Sequence, residues 1–208
     1  MAKGRGILTI VSGFAGSGKG TVMKKLISEY DNYALSVSAT SRAPRPGEEE
    51  GVSYFFKTRE EFEEMIEKGL LLEHAEYVGN YYGTPADFVF ARMDEGRDVV
   101  LEIEMQGAMQ VKQRYPDTLL IFLTPPSADE IYRRLKGRGT ETDEVIDRRM
   151  KRAFEETKYI KDYDYLVIND NIDDCTARVH GIIQSAHYTV EHEAELAAEL
   201  EAGLKKYQ

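Results

Sequence analysis

The sequence predicts an α/β fold in which a parallel sheet is flanked by helices. Continuous apolar runs rich in β-branched residues recur along the chain, and segments with helical periodicity lie between them. Strands that alternate with helices are typical of a parallel sheet. Runs that are apolar throughout, rather than at every second residue, indicate strands buried on both faces.

Four segments carry the strand pattern. They are residues 7–11, 99–103, 119–123 and 165–168. Four apolar side chains fall on one helical face after the first strand, and they predict the first helix: Val22, Leu26, Ile27 and Tyr30.

Two further helices are predicted from the residues at their ends. The run Thr-Arg-Glu-Glu at 58–61 has the spacing of a capping box, and Gly69 is the stop signal of the helix that it begins. The run Ser-Ala-Asp-Glu at 127–130 repeats that signature, with Gly137 as the stop. We therefore expect both helices to begin at a side-chain cap.

Two stretches do not follow the alternation of strands and helices. Residues 38–88 contain few strand-like apolar runs, and residues 127–157 are dense in charges of both signs. We interpret both as insertions on one core. The core is then made of residues 1–37, 89–126 and 158–208. Its tail, residues 187–208, is rich in Glu and Ala with leucines four apart, which predicts a terminal amphipathic helix.

The composition excludes several classes of function. A net charge of −10 over 208 residues argues against general nucleic-acid binding. No apolar run reaches the roughly 18 residues of a membrane span, and the apolar stretch near the N-terminus, about five residues long, is too short for the core of a signal peptide. Cys175 is the single cysteine, so an internal disulfide is ruled out and a cytoplasmic location is expected. The composition fits a monomer or a homo-oligomer.

Residues 13–21 have the composition of a phosphate-binding loop: Gly13, Phe14, Ala15, Gly16, Ser17, Gly18, Lys19, Gly20 and Thr21. They follow a predicted strand and open a predicted helix, where glycines let several N–H groups converge on one phosphate. Lys19 supplies a cation for the β- and γ-phosphates of ATP. Because Gly20 stands where Ser or Thr is usual, Mg²⁺ is expected to depend on water and carboxylates. A glycine-rich turn with an incidental lysine is the alternative, but the flanking elements favour ATP binding.

Arginines in the first insertion indicate a second phosphate site. Arg42 and Arg45 lie among prolines and present planar forks that suit a dianionic phosphate. Tyr54 and Tyr82 offer hydroxyl groups in the same insertion. A surface loop with solvated arginines is the alternative for these residues taken alone.

At this point the chain resembles the guanylate kinase family, over nearly its whole length. The resemblance rests on the phosphate-binding loop and on further motifs in the family's order and spacing: residues 38–51 with Tyr54, 72–76, 79–84, 102–107, Arg134 with 137–142, Arg149 and 168–170. It implies a P-loop parallel sheet flanked by helices, with a GMP-binding insertion at 38–88 and a lid insertion at 127–157. It also implies transfer of the γ-phosphoryl group of Mg·ATP to GMP or dGMP.

The resemblance assigns roles within the GMP-binding insertion. Residues expected to hold the GMP phosphate are Arg42, Arg45, Tyr54 and Tyr82, and those expected to recognise guanine are Ser38, Glu73 and Thr84. Guanine presents N1–H and a 2-amino group side by side, so one carboxylate accepts from both. Adenine presents neither donor, and leaving a buried Glu73 carboxylate unpaired costs several kcal/mol, enough for a discrimination of roughly 10⁴. Taken alone, Glu73 resembles a surface charge.

Glu102 and Glu104 stand where the family has Asp-x-Asp. The resemblance implies that they contact the guanine edge or the ribose and arrange Mg²⁺ through water, with the division of roles left open between them. The four histidines do not have the spacing of metal ligands, so magnesium carried by the substrate is the one cofactor expected.

The lid insertion gathers cations. The resemblance implies that Arg134, Arg138 and Arg149 act in catalysis with Lys19, and that Asn169 flanks the adenine of ATP. Three other arginines are interpreted as a solvated helix face paired with the acidic residues at 141, 143, 144 and 147: Arg133, Arg148 and Arg152. The reaction needs no protein base, because a phosphate oxygen of GMP is already an anionic nucleophile.

Two other functions fit part of the sequence. A kinase for a different nucleoside monophosphate shares the Gly-Lys-Gly-Thr loop, but Glu73 and residues 38–54 favour GMP. A non-enzymatic guanylate-kinase-like module binds phosphorylated peptides and has generally lost its phosphate-binding loop. This chain keeps Lys19 and the lid arginines, and we expect no partner domain within its 208 residues.

Overall fold

The computed structural model describes residues 4–77, 79–137 and 142–207. The strands are β1 Leu8–Gly13, β2 Tyr33–Leu35, β3 Ala39–Thr40, β4 Phe55–Phe56, β5 Leu71–Tyr77, β6 Asn80–Pro85, β7 Asp98–Glu102, β8 Leu119–Thr124 and β9 Tyr165–Ile168. The α-helices are α1 Lys19–Glu29, α2 Arg59–Glu67, α3 Ala86–Asp94, α4 Met105–Arg114, α5 Ala128–Gly137, α6 Asp143–Glu156, α7 Ile172–Ala186 and α8 Ala194–Leu204. A 3₁₀ helix at Thr157–Asp162 joins α6 to β9.

The core sheet has the strand order β2-β7-β1-β8-β9, and every pairing in it is parallel. The four strands predicted from the sequence are confirmed, each within two residues. β2 was not predicted, because a three-residue edge strand is too short to show a pattern. The parallel α/β fold is therefore as expected, and the carboxyl ends of β1, β7 and β8 meet at one edge, where ligands of such sheets bind.

Helices cover both faces of this sheet. One face packs against α1 and α7 through a cluster that includes Val22, Leu26 and Val179, all buried. The other face packs against α3 and α4 through a cluster that includes Val89 and Val111. The predicted apolar face of α1 is confirmed, because Val22 and Leu26 are buried and the other two predicted side chains pack against the same cluster.

Residues 38–88 contain a second sheet that the sequence did not predict. Its order is β4-β3-β6-β5, with β5 and β6 paired antiparallel. β3 and β4 have only two residues each, and β5 is buried along its first half and exposed along its second. Strands this short, or buried along only half of their length, do not give the continuous apolar runs from which the core strands were predicted. All four strands of this sheet fall within the predicted insertion, while α3 begins at Ala86, inside its predicted boundary.

The predicted helix caps are found in whole or in part. At the start of α2, Thr58 Oγ1 accepts from the Glu61 backbone N–H at 3.1 Å, and a Glu61 carboxylate oxygen accepts from the Thr58 N–H at 2.7 Å. At the start of α5, Ser127 Oγ accepts from the Glu130 N–H at 3.1 Å. The Glu130 carboxylate turns instead to two arginines of α5, so only half of the second capping box forms.

The predicted tail helix is present but shorter than residues 187–208. It is α8, and the described chain buries none of its residues. Its leucines, Leu196, Leu200 and Leu204, are each exposed by 50% or more. Among the described residues, no helix combines the length and hydropathy needed to cross a bilayer.

Candidate active site

The phosphate-binding loop joins the end of β1 to the start of α1. Gly18 precedes α1 with φ 86°, in the left-handed region, and a Cβ there would lie 2.5 Å from the Asn169 side-chain nitrogen. Only glycine avoids both the backbone strain and the collision. The Ser17 hydroxyl is buried and has no hydrogen-bond partner within the described residues. Since buried polar groups are normally satisfied, this hydroxyl indicates a loop shaped around a polar ligand.

Asn169 connects this loop to α5. Its side-chain amide donates to the Ser17 carbonyl oxygen at 2.7 Å, and its own backbone carbonyl accepts from Arg134 Nη2 at 2.8 Å. Arg134 also pairs with Glu130 at 2.6 Å. Asn169 and Arg134, predicted separately to bind ATP and to act in catalysis, are thus brought together beside the loop. The predicted contact of Asn169 with adenine stays a prediction.

Glu102 lies at the carboxyl end of β7, next to the loop. A Cβ at Gly20 would lie 3.6 Å from Glu102 Oε2, so the two positions face each other. The surrounding protein excludes part of the water around this carboxyl and raises its pKa, and the ammonium of Lys19 opposes the rise. The side chain as a whole remains accessible to solvent.

Glu104 follows Glu102 and is engaged by α6, in the predicted lid insertion. Its carboxylate pairs with Arg152 of α6 at 3.0 Å, and Arg152 also pairs with Glu156 at 2.7 Å. Among the described residues, the predicted pairing of Arg152 with Asp143, Glu144 or Asp147 is therefore wrong. Arg152 thus pairs with Glu104, which lies outside its helix, as well as with Glu156 on α6. Arg133 pairs with Glu130, within α5.

Arg42, Tyr54 and Tyr82 come together in the second sheet. The Arg42 guanidinium lies 5.4 Å from the centre of the Tyr54 ring, and the Tyr54 and Tyr82 rings are 6.1 Å apart. Both terminal nitrogens of Arg42 bind the Glu48 carboxylate, at 2.9 and 3.0 Å. The Arg45 backbone N–H donates to the same carboxylate at 2.8 Å. These groups hold the pKa of Glu48 below its usual value, with the Arg42 hydrogen bonds as the main cause.

Sequence reasoning missed the role of Glu48. The sequence does place an acidic residue after two arginines within a proline-containing turn. These residues are not in a helix or strand, however, so their spacing does not show that the side chains meet. In the structure the two oxygens of Glu48 occupy both donor positions of the Arg42 fork, as two oxygens of a dianionic phosphate would. It therefore fills the place that the sequence predicted for a phosphate.

Glu73 and Thr84 form a buried pair between β5 and β6. The Glu73 residue is 7% exposed, and Thr84 Oγ1 donates to Glu73 Oε1 at 2.7 Å. Burial raises the pKa of Glu73, and hydrogen bonds from Thr84 oppose that rise. A buried carboxylate with one oxygen held in place is an acceptor for an incoming donor pair. Ser38 immediately precedes β3 in the same sheet.

Two predicted lid arginines remain to be placed. Arg149 lies on α6, the helix that also carries Arg152. Arg138 lies outside the described residues.

The geometry so far is that of a P-loop next to a second sheet with an arginine–tyrosine cluster and a buried carboxylate. A family model described as guanylate kinase matches residues 5–186. The chain belongs to the guanylate kinase family. The guanylate kinase of Lactococcus lactis subsp. lactis is 51% identical over 191 residues, which cover 92% of this chain and 93% of that one. The guanylate kinase of Halalkalibacterium halodurans is 54% identical over 187 residues, covering 90% and 92%.

Guanylate kinases also match the fold. The crystal structure of guanylate kinase from Anaplasma phagocytophilum superposes with a TM-score of 0.70 at 34% sequence identity, covering 91% of this chain and 90% of that one. The family model ends where α7 ends, at residue 186, so α8 lies beyond the matched region. The resemblance inferred from sequence motifs is therefore confirmed over residues 5–186.

The donor set fits the magnesium that a guanylate kinase uses with ATP. Mg²⁺ binds through one or two carboxylates, several waters and substrate phosphates rather than an all-protein cage. The Glu102 carboxylate faces the phosphate-binding loop, as this mode requires. Within residues 4–77, 79–137 and 142–207, no group of three or more His, Cys, Asp or Glu side chains is arranged to hold a metal.

Proposed function

We propose that this chain transfers the γ-phosphoryl group of Mg·ATP to GMP or dGMP, giving ADP and GDP in purine nucleotide metabolism. The observation that carries the proposal is the buried Glu73–Thr84 pair, in a sheet that contacts α4 of the core through Arg114. The pair matches the two donors of guanine and no donor arrangement of adenine. Membership of the guanylate kinase family supports the same reaction.

Guanine is recognised by ionised Glu73. Thr84 occupies one lone pair of Oε1, and the remaining lone pairs accept from N1–H and the 2-amino group. Desolvation of the carboxylate is costly, and two charge-assisted hydrogen bonds from guanine offset that cost. Adenine, cytosine and uracil do not present two donors side by side, so they leave part of the carboxylate unpaired. Glu73 therefore selects the acceptor nucleotide.

The GMP phosphate is bound by exchange with Glu48. The Arg42 fork releases the Glu48 carboxylate and takes the dianionic phosphate, with the hydroxyls of Tyr54 and Tyr82 and the Arg45 side chain as further donors. A phosphate carries more charge than a carboxylate, so the exchange favours the substrate. Glu48 holds Arg42 in a bound-like orientation in the meantime.

Transfer relies on alignment and charge rather than on a protein base. Magnesium carried by ATP would supply neutralisation of the phosphate charge. Lys19 and the loop N–H groups hold the ATP phosphates, and Glu102 or Glu104 would hold the metal through water. Arg134, Arg138 and Arg149 surround the transferring group and exclude water when the lid closes. In this scheme Arg138→Met lowers kcat far more than it raises the KM for GMP.

A cytoplasmic location is part of the proposal. The single cysteine, Cys175, is buried, and burial raises the pKa of its thiol to about 11. Such a thiol stays protonated and unreactive, as suits a structural cysteine in a reducing compartment.

A coupled assay with Mg·ATP and GMP, AMP, UMP or CMP in turn tests the function. We expect rapid formation of GDP from GMP and little product from the other three. Glu73→Gln keeps the size of the side chain and replaces one acceptor by a donor, so it should raise the KM for GMP by roughly 100-fold or more. Fast turnover of AMP with none of GMP would contradict the proposal.

A further inference from the structure

The helix α4 packs along the free edge of β5, the strand that carries Glu73. β5 is the edge strand of its sheet, so the backbone groups on the side facing away from β6 have no partner among the described strands. Gln110 supplies partners instead, with Oε1 and Nε2 reaching the His74 N–H and carbonyl at 3.4 Å each. Arg114 Nη1 donates to the Leu71 carbonyl at 2.7 Å. Side chains of the core thus take the place of a fifth strand.

Gly107 lies on the same face of α4, one turn before Gln110, and touches Glu73. A Cβ at Gly107 would lie 2.8 Å from Glu73 Oε2, 3.2 Å from Cδ and 3.3 Å from Cγ. A contact of 2.8 Å between carbon and oxygen is well inside van der Waals separation. The carboxylate therefore occupies the volume that a side chain at position 107 would fill. Its other oxygen is held by Thr84.

The backbone of β5 is irregular at this place. The β5–β6 register shifts between Leu71 and His74, the interval that contains Glu73. Register irregularities of this kind redirect a side chain and are common beside active sites. Here the shift turns the Glu73 carboxylate into the space left open by Gly107. The carboxylate is thus fixed from two sides, by Thr84 within the sheet and by α4 from the core.

We propose that Gly107 is a positioning residue that sets the orientation of the Glu73 carboxylate and thereby the preference for guanine. The inference rests on the proposed role of Glu73. It adds that the orientation depends on the absence of a side chain on α4, a helix of the ATP-binding core. Gln110 and Arg114 keep α4 and β5 at the separation that this contact requires.

Gly107→Ala tests the proposal. The added methyl must displace the carboxylate by several tenths of an ångström, and misplacement of a substrate-binding group by about 1 Å costs on the order of 100-fold. We expect the KM for GMP to rise roughly 10- to 100-fold, the GMP-over-IMP preference to fall, and the KM for ATP to stay unchanged. IMP lacks the 2-amino group, so this ratio reports the orientation of the carboxylate.

Gly181→Ala is the matched control. Gly181 is also inside a helix, α7, and a Cβ there meets nothing within 4 Å. This variant should leave the KM for GMP and the GMP-over-IMP preference unchanged. Any general effect of adding alanine to a helix is thereby separated from the contact with Glu73.

A double-mutant cycle with Glu73→Ala separates positioning from a purely structural effect. Truncation of Glu73 removes the atoms that the new methyl meets, so adding Gly107→Ala to that variant should change the KM for GMP by less than about twofold. Equal effects of Gly107→Ala with and without Glu73 overturn the inference, as does an unchanged GMP-over-IMP preference in the single variant. If Glu73→Ala alone leaves the KM for GMP unchanged, the proposed role of Glu73 itself fails.

Discussion

Replacing Asp98 with alanine removes the centre of a buried hydrogen-bond network at the end of the sheet opposite to the phosphate-binding loop. Asp98 is 1% exposed and begins β7. One carboxylate oxygen accepts from the Ile7 N–H at 2.9 Å and from His187 Nε2 at 2.8 Å. The other accepts from the side-chain amides of Asn32 at 2.8 Å and Gln184 at 3.1 Å.

The expected loss of stability follows from these contacts. Truncation leaves four donors without their acceptor, and the buried Ile7 N–H has no route to water. Removing one partner of a buried charged network costs about 3–5 kcal/mol. For a chain of this length each kcal/mol lowers the Tm by about 2–4 °C, so Asp98→Ala should lower the Tm by about 6–20 °C.

Catalysis should be spared, because Asp98 lies about 13 Å along β7 from Glu102 at about 3.3 Å per residue. The measurements are calorimetric unfolding and initial rates with GMP and ATP, taken well below the transition. Asp94→Ala is the control, since Asp94 makes an exposed pair with Arg5 at 3.0 Å that contributes at most about 1 kcal/mol. Equal Tm values for the two variants would refute the reasoning, as would a loss of kcat in the folded Asp98→Ala protein.

Three further predictions concern the loop, the carboxylate and the tail. Asn169→Ala loses the 2.7 Å hydrogen bond to the Ser17 carbonyl, and a buried bond of this kind holds the loop with about 1–3 kcal/mol. The variant should therefore raise the KM for ATP roughly tenfold and leave the KM for GMP unchanged. An unchanged KM for ATP would contradict this prediction. GMP affinity should fall as pH falls through the pKa of Glu73, which burial raises above 4.5, and a pH titration of Glu73→Gln should lack this acidic limb. Burial disfavours the ionised form of Glu73, so the stability that the protonated carboxyl contributes is present at low pH and is lost as pH rises through the raised pKa. Glu73→Gln should therefore unfold at a higher temperature than the parent protein at neutral pH. Ending the chain after Tyr188 should change the Tm by less than about 2 °C, because the described chain buries no residue of α8. Ending it after Ser185 also removes His187 and its hydrogen bond to Asp98, so the free energy of unfolding should fall by at least about 1 kcal/mol.

The core of this fold could be predicted because its signals are local. β1, β7, β8 and β9 are continuous apolar runs, and Thr58 caps α2 with bonds that span three residues. The loop at 13–21 combines its glycines and lysine within nine positions. Each of these patterns is complete within one short stretch of sequence.

The rest depends on contacts between distant residues. The Asp98 network joins positions separated by up to 91 residues, and Asp98 itself is a polar residue at the start of an apolar run. Gly107 gave no signal beyond its place in a motif, because its role depends on where β5 lies. Arg152 was assigned to partners on its own helix, whereas tertiary packing brings Glu104 to it. Sequence order shows which residues are present, and only the packed structure shows which of them touch.

The resting position of Lys19 has a consequence for nucleotide choice. Its ammonium donates to the Gly13 carbonyl at 2.7 Å and to the Phe14 carbonyl at 3.4 Å, within the loop it serves. A nucleotide that enters the loop must therefore offer the Lys19 ammonium stronger hydrogen-bond acceptors than these two peptide carbonyls before the lysine side chain turns toward it. We expect a triphosphate to do so, and we expect adenosine, AMP and inorganic anions of low charge to leave the lysine where it is. The two carbonyls thus hold the lysine within the loop, which favours a long polyphosphate chain over weaker occupants.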